Sequence, residues 1–147
     1  MSGTFVSPAT PSNFTVQASR QAGGNMIATA TWDMTYSGAF TGPVQVTATI
    51  NFHANGHGTI NASAVCSPCW VLDPTASPGY RVGPLTTYLQ GTNTWVPSEF
   101  GPVVLGYHAT IRGSGSGGLA GLHYEGTVDQ PGPTVDATAT VRYHFDP

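Results

Sequence analysis

The last third of the chain alternates apolar and polar residues so regularly that its buried face can be written down. Leu105, Tyr107, Ala109 and Ile111 fall on one side of a strand near 102–112. Leu122, Tyr124 and Val128 fall on the matching side of a strand near 121–128. Val135, Ala137, Ala139, Val141, Tyr143 and Phe145 do so near 135–145. The other side carries His108, Thr110, Arg112, His123, Glu125, Thr127, Asp136, Thr138, Thr140, Arg142 and His144. Successive side chains in a strand point to opposite faces, so one face of this sheet is dry and the other wet. Helix is excluded on the same ground. No window keeps i, i+3, i+4 spacing for three turns, and 19 glycines and 12 prolines interrupt the chain.

Further period-two segments lie near 13–19, 26–36, 43–53, 57–65 and 80–89. Residues 44–52 alternate strictly, and Ala54-Asn55-Gly56 is a hairpin turn in which Gly56 supplies the left-handed residue. That turn sets Ile50 against Ile60, Ala48 against Ala62 and Val46 against Ala64. Apolar meets apolar at each step, which fixes the register. About eight such strands joined by short turns predict a single antiparallel up-and-down β-barrel spanning residues 1–147. Between about 66 and 100 the pattern breaks. Pro68, Pro74, Pro78, Pro84 and Pro97 sit among Trp70, Tyr80, Tyr88, Trp95 and Phe100, which predicts a long aromatic lid loop.

Charge restricts the partners. Charged residues make up 7% of the chain, none is lysine, and the net charge is −3 with a pI near 5.8. Such a surface lacks the basic stripe that nucleic acid requires. No apolar run reaches the ~18 residues that cross a bilayer, and the N-terminus lacks the charged start and apolar core of a signal peptide. A cytoplasmic protein with no membrane insertion is expected.

Chemistry is sparse. The inward positions include Ala28, Ala30, Ala48, Ala62, Ala64, Ala109, Ala137 and Ala139. So much alanine either leaves an apolar cavity or lets the strands close in until alanine simply fits. With a cavity, Trp32, Phe52, Tyr143 and Phe145 would shape a ligand. Tyr107 and Tyr124 would hydrogen-bond a carbonyl or hold an enolate oxygen, as catalytic residues. Trp70, Trp95 and Phe100 would cap the mouth. With a filled interior, each tyrosine is an ordinary core phenol. His108 and Glu125 fall opposite one another if the glycine loop closes symmetrically, although both lie on the wet face. Cys66-Ser-Pro-Cys69 lacks the following helix of a redox motif. A zinc site shared with His53 and His57 would have to span roughly 26 Å, at about 3.3 Å per strand residue. Two thiols or a short disulfide remain. No motif implies a metal or cofactor.

The segment Gly113-Ser-Gly-Ser-Gly-Gly-Leu-Ala-Gly-Leu-His-Tyr-Glu-Gly-Thr127 resembles the Gly-rich, Leu-Ala-Gly-Leu, Glu-Gly segment of small bacterial barrels related to allene oxide cyclase. Ser2-Gly-Thr-Phe5 and the hairpin around Phe40–Ser63 sit as that family would place them. The resemblance implies an eight-stranded barrel with an apolar lumen, often oligomeric, with distant kinship to spirotetronate-type [4+2] cyclases. No catalytic residue of the plant enzymes maps onto this chain.

Three functions are consistent with these residues. The first is a cofactor-free cyclase or isomerase, as in natural-product biosynthesis, acting on an apolar polyene or lipid-like molecule by orienting it. The second is a non-catalytic carrier or sensor of such a molecule. The third is a structural or oligomeric module, a homodimer or trimer, with a filled lumen.

Overall fold

The computed structural model describes residues 1–147, the side chain of Ala22 excepted. Nine strands form one antiparallel sheet. They are β1 (Ser2–Ser7), β2 (Ser12–Ala22), β3 (Asn25–Gly38), β4 (Phe40–Phe52) and β5 (His57–Leu72), then β6 (Tyr80–Ser98), β7 (Gly101–Gly115), β8 (Leu122–Gln130) and β9 (Ala137–Phe145). Their order across the sheet is β1-β9-β8-β7-β6-β5-β4-β3-β2. Each consecutive pair of strands from β2 to β9 is therefore hydrogen-bonded, as short antiparallel connections require.

Alternation does the rest. β4 reads buried, exposed, buried, exposed along nearly its whole length, and β9 does the same. β2 is exposed along residues 12–21, but the buried faces of the other eight strands cannot stay dry on a flat sheet. The sheet curls, and Phe5, Phe40, Val46, Ile60, Leu85, Leu122 and Val141 meet in one core. The expected hairpin register holds: Ile50 pairs with Ile60, Ala48 with Ala62 and Val46 with Ala64. Gly56 has φ +83°, and the His53 amide donates to the His57 carbonyl at 2.8 Å.

The up-and-down barrel of about eight strands is not what forms. The sheet has nine strands and two ends. β1 does reach β3, but over only two residue pairs, Phe5 with Gly38 and Val6 with Ser37. Neighbouring ladders run to six pairs or more. Beyond that short seam β2 takes over the edge of β3 and leaves its own outer edge unpaired, with Phe14 stacked on Trp32. The ninth strand, β1, is six residues long and too short for its alternation to stand out.

The lid over 66–100 is also corrected. β5 runs on to Leu72 and β6 starts at Tyr80, leaving only the turn 73–79 between them. Proline escapes the ladder where it has no donor to supply. Pro68 sits in a β5 bulge between Cys66 and Cys69, Pro74 and Pro78 lie in the turn, and Pro97 pairs with Pro102 near the tip of the β6–β7 hairpin. A disulfide joins Cys66 to Cys69 across the bulge, with both residues fully buried.

One interior row is rich in small residues. Ala30, Ala48, Ala62, Leu89, Ile111, Gly126, Val141 and Gly3 pair in sequence across eight strands. Neighbouring strands pack closely at its glycines and at those of the row beside it. A Cβ on Gly126 would collide with the Thr140 carbonyl of adjacent β9, and one on Gly91, in the next row, with the His108 carbonyl and the Ala109 methyl of adjacent β7. Ala62, Leu89 and Ile111 border the small cavity that the interior keeps. Gly91→Ala is expected to destabilise the protein by about 1–3 kcal/mol through overpacking. Urea unfolding measures this, and an unchanged midpoint would mean that β6 and β7 can part without cost.

Candidate functional site

Two spaces compete for a functional role. The first lies inside. It holds about 60 Å³ of free room and is lined by Trp32, Met34, Tyr36, Thr87, Tyr107 and neighbouring aliphatic residues. Small-molecule sites occupy roughly 300–1,000 Å³, so this cavity suits at most a very small guest.

The expected ligand-shaping residues disperse. Of the nine, only Trp32 and Tyr107 line the cavity. Tyr124 is buried elsewhere in the core; its hydroxyl donates to the Thr86 carbonyl at 2.8 Å and also bonds the Thr87 hydroxyl. Its ring lies over Gly113, where a side chain would strike it, so the glycine segment is needed for packing. Tyr143 donates to the Leu72 carbonyl at 2.8 Å. Phe145 lies under the Arg81 guanidinium, 4.1 Å from the ring centroid. That guanidinium bonds Asp73, which is 1% exposed. The Thr75 hydroxyl, with Arg81, holds the Asp73 carboxyl below its ordinary range against the opposing effect of burial.

The supposed cap is equally scattered. Trp95 packs edge-on against Phe52 and donates its indole N–H to the His53 carbonyl at 2.9 Å, bracing the β4–β5 turn. Trp70 is 38% exposed on the outer face of β5, and Phe100 is 93% exposed at the β6–β7 turn. His108 does not face Glu125. The glycine loop forms a 3-10 turn at Gly117–Leu119 and the register places His108 opposite Asp129, with both side chains in solvent. Among the described residues no group of three or more His, Cys, Asp or Glu could hold a metal ion.

The phenols behave as core groups. Burial pushes Tyr107 up to about 12 and also raises Tyr36, Tyr124 and Tyr143, while a Thr87 hydrogen bond opposes the rise at Tyr36 and Tyr124.

The second space is outside and was not foreseen. An open groove of about 900 Å³ runs across β4, β5, β6, β7, β8 and β9, above the row from Ala48 to Val141. Two rungs of outward side chains form its walls. One reads Thr49, Asn61, Gln90, Thr110, Thr127 and Thr140 in register. The other reads Thr47, Ser63, Tyr88, Arg112, Glu125 and Arg142. Arg142 donates to Glu125 at 3.0 Å, and Glu125 stands between the two arginines. Tyr88 is 54% exposed beside Arg112. The signal was available in the sequence as polar residues at every second position, but alternation alone does not reveal which two outer rungs border an open groove.

No family model matches the chain, and neither a curated protein nor a solved structure does. With neither a match nor a barrel beneath it, the allene-oxide-cyclase-like description and its cyclase or isomerase terms lose their footing.

Two results are expected from the interior. Tyr124→Phe should cost about 1–3 kcal/mol in urea unfolding, because the Thr87 hydroxyl loses its buried partner. No loss would mean the pair contributes nothing to stability. The Tyr107 effect is alkaline. An unfolded tyrosine titrates near 10, and the folded one near 12. Its contribution is complete below about pH 10 and is lost as pH rises towards about 12, because only the unfolded chain gives up its proton in that window. Tyr107→Phe should therefore flatten the fall in stability measured between those pH values, and an unaltered slope would contradict this.

Proposed function

We propose that this protein is a non-catalytic binding module whose interior is structural core and whose working surface is the outer groove across β4–β9. One contrast carries the reading: about 900 Å³ of open space outside against about 60 Å³ inside. The engagement of Tyr124 and Tyr143 with backbone carbonyls supports it further, since a phenol already satisfied offers little to a substrate. The groove's chemistry supports recognition more than turnover. Hydroxyls and amides dominate, and its one carboxylate is exposed and paired with Arg142. An acid–base role asks for a carboxyl whose environment tunes its proton affinity.

The buried disulfide supports work in an oxidising compartment, where such bonds persist, over the cytoplasmic location first expected. Among the described residues no helix is long and apolar enough to cross a membrane.

Retinal, a long apolar polyene, separates inside from outside. The protein should not take it up, leaving Trp32 fluorescence and amide exchange in the core unchanged. Saturable binding that quenches Trp32 and protects the amides around Tyr107 would overturn the reading and return the function to the interior.

A further inference from the structure

We infer that the outer groove takes a neutral oligosaccharide of several units, lying across the strands and stacked on Tyr88. The inference rests on the binding-module reading and names the ligand class for that same groove.

Four observations carry it. The first is the type of lining group. Thr47, Thr49, Ser63, Thr110, Thr127 and Thr140 each present a hydroxyl that both donates and accepts, and Asn61 and Gln90 add amides with separate donors and acceptors. A ligand complementary to such a surface must itself donate and accept at close intervals without carrying charge. A sugar's hydroxyls do this. The walls keep much of that capacity for a ligand: within the protein, Thr110 bonds the Gln90 carbonyl and Arg142 bonds Glu125.

The second is the arrangement of charge. Arg112 and Arg142 flank Glu125 in one rung, so the groove alternates plus, minus, plus. A carboxylate can accept from two neighbouring hydroxyls, and a guanidinium fork can donate to two. An anionic polymer would meet Glu125 directly between the arginines. Only two arginines line the groove, too few for a ligand bearing one charge per unit.

The third is the aromatic. Tyr88 is the only aromatic side chain among the groove's lining residues, and it is half exposed on a wall of hydroxyls. A phenol ring gives a flat apolar face with a polar tip. The C–H face of a sugar ring fits against it while the hydroxyls at its rim reach Ser63 and Arg112 on either side.

The fourth is length. Six strands about 4.8 Å apart give a floor of roughly 24 Å, which an extended chain of sugars fills and a monosaccharide does not. The groove is open along its length, as a polymer threading through it requires.

The test is titration of the full chain with cellohexaose, xylohexaose, mannohexaose, chitohexaose and maltohexaose, with hexagalacturonate and a polyglycine–serine peptide in parallel. Amide chemical shifts on β5–β8 report the site. At least one neutral hexasaccharide should shift outward-facing residues of the groove. Tyr88→Ala should weaken its binding by about tenfold, equivalent to about 1.4 kcal/mol. Its thermal midpoint should stay put because the side chain is on the surface. Tyr88→Phe should retain most of the affinity, which stacking predicts and loss of a hydroxyl contact does not. If the groove instead takes only hexagalacturonate or the peptide, the glycan inference fails while the binding-module reading stands. If none of the seven probes moves a groove amide, both fail. Neutral binding unaffected by Tyr88→Ala would also overturn the stacked geometry.

Discussion

Tight lateral packing of neighbouring strands at small inward residues is the constraint on which the rest of this structure depends. Ala30, Ala48 and Gly126 present little or nothing to the interior, and at Gly126 the backbone of adjacent β9 occupies the place of a side chain. Dispersion rewards contact only at short range, so small side chains and bare backbone let neighbours pack closely. The free room inside is a remnant beside Trp32 and Tyr107, and the larger open space lies outside, between two rungs of polar side chains.

The aromatic residues then serve the core. Phe5 and Phe40 stack, and Tyr36, Tyr124 and Tyr143 meet them at tilted or edge-on angles. The phenol oxygens of Tyr124 and Tyr143 reach carbonyls on β6 and at the end of β5. These bonds tie β8 and β9 to distant strands and compensate the cost of burying polar atoms. The Asp73–Arg81–Phe145 contact does the same for the β5–β6 turn, linking it to the last strand. Residues that look like a ligand-binding set in the sequence are therefore a bracing set in space.

Much of the fold was legible from alternation. Eight of the nine strands and the 44–64 register follow from apolar and polar periods, because a one-residue slip would invert every side chain. What periodicity could not supply is curvature and closure. Whether β1 meets β3 along a full ladder or only at Phe5 and Val6 depends on twist summed over nine strands, and no local pattern encodes that sum. Proline was misleading for a related reason. Pro68, Pro84 and Pro97 signal loop by composition, yet bulges and hairpin tips accommodate them within strands. The site was the least legible part. Inward alanine is compatible with a cavity or with close packing, so composition alone does not size the interior, and the hydroxyl rungs carry no distinct signal because polar alternation looks like ordinary solvated surface.

The most direct measurement is to enlarge small inward residues of the core, Ala48 in the interior row and Ala109 in the row beside it. Both are about 1% exposed and neither borders the remaining cavity. Ala48→Leu and Ala109→Leu should each lower the unfolding free energy in urea by about 1–3 kcal/mol, since a packed interior has no space for the added atoms. Equal or greater stability in both variants would mean that the interior is hollow there, and the account of a packed interior with an outward-facing site would be wrong.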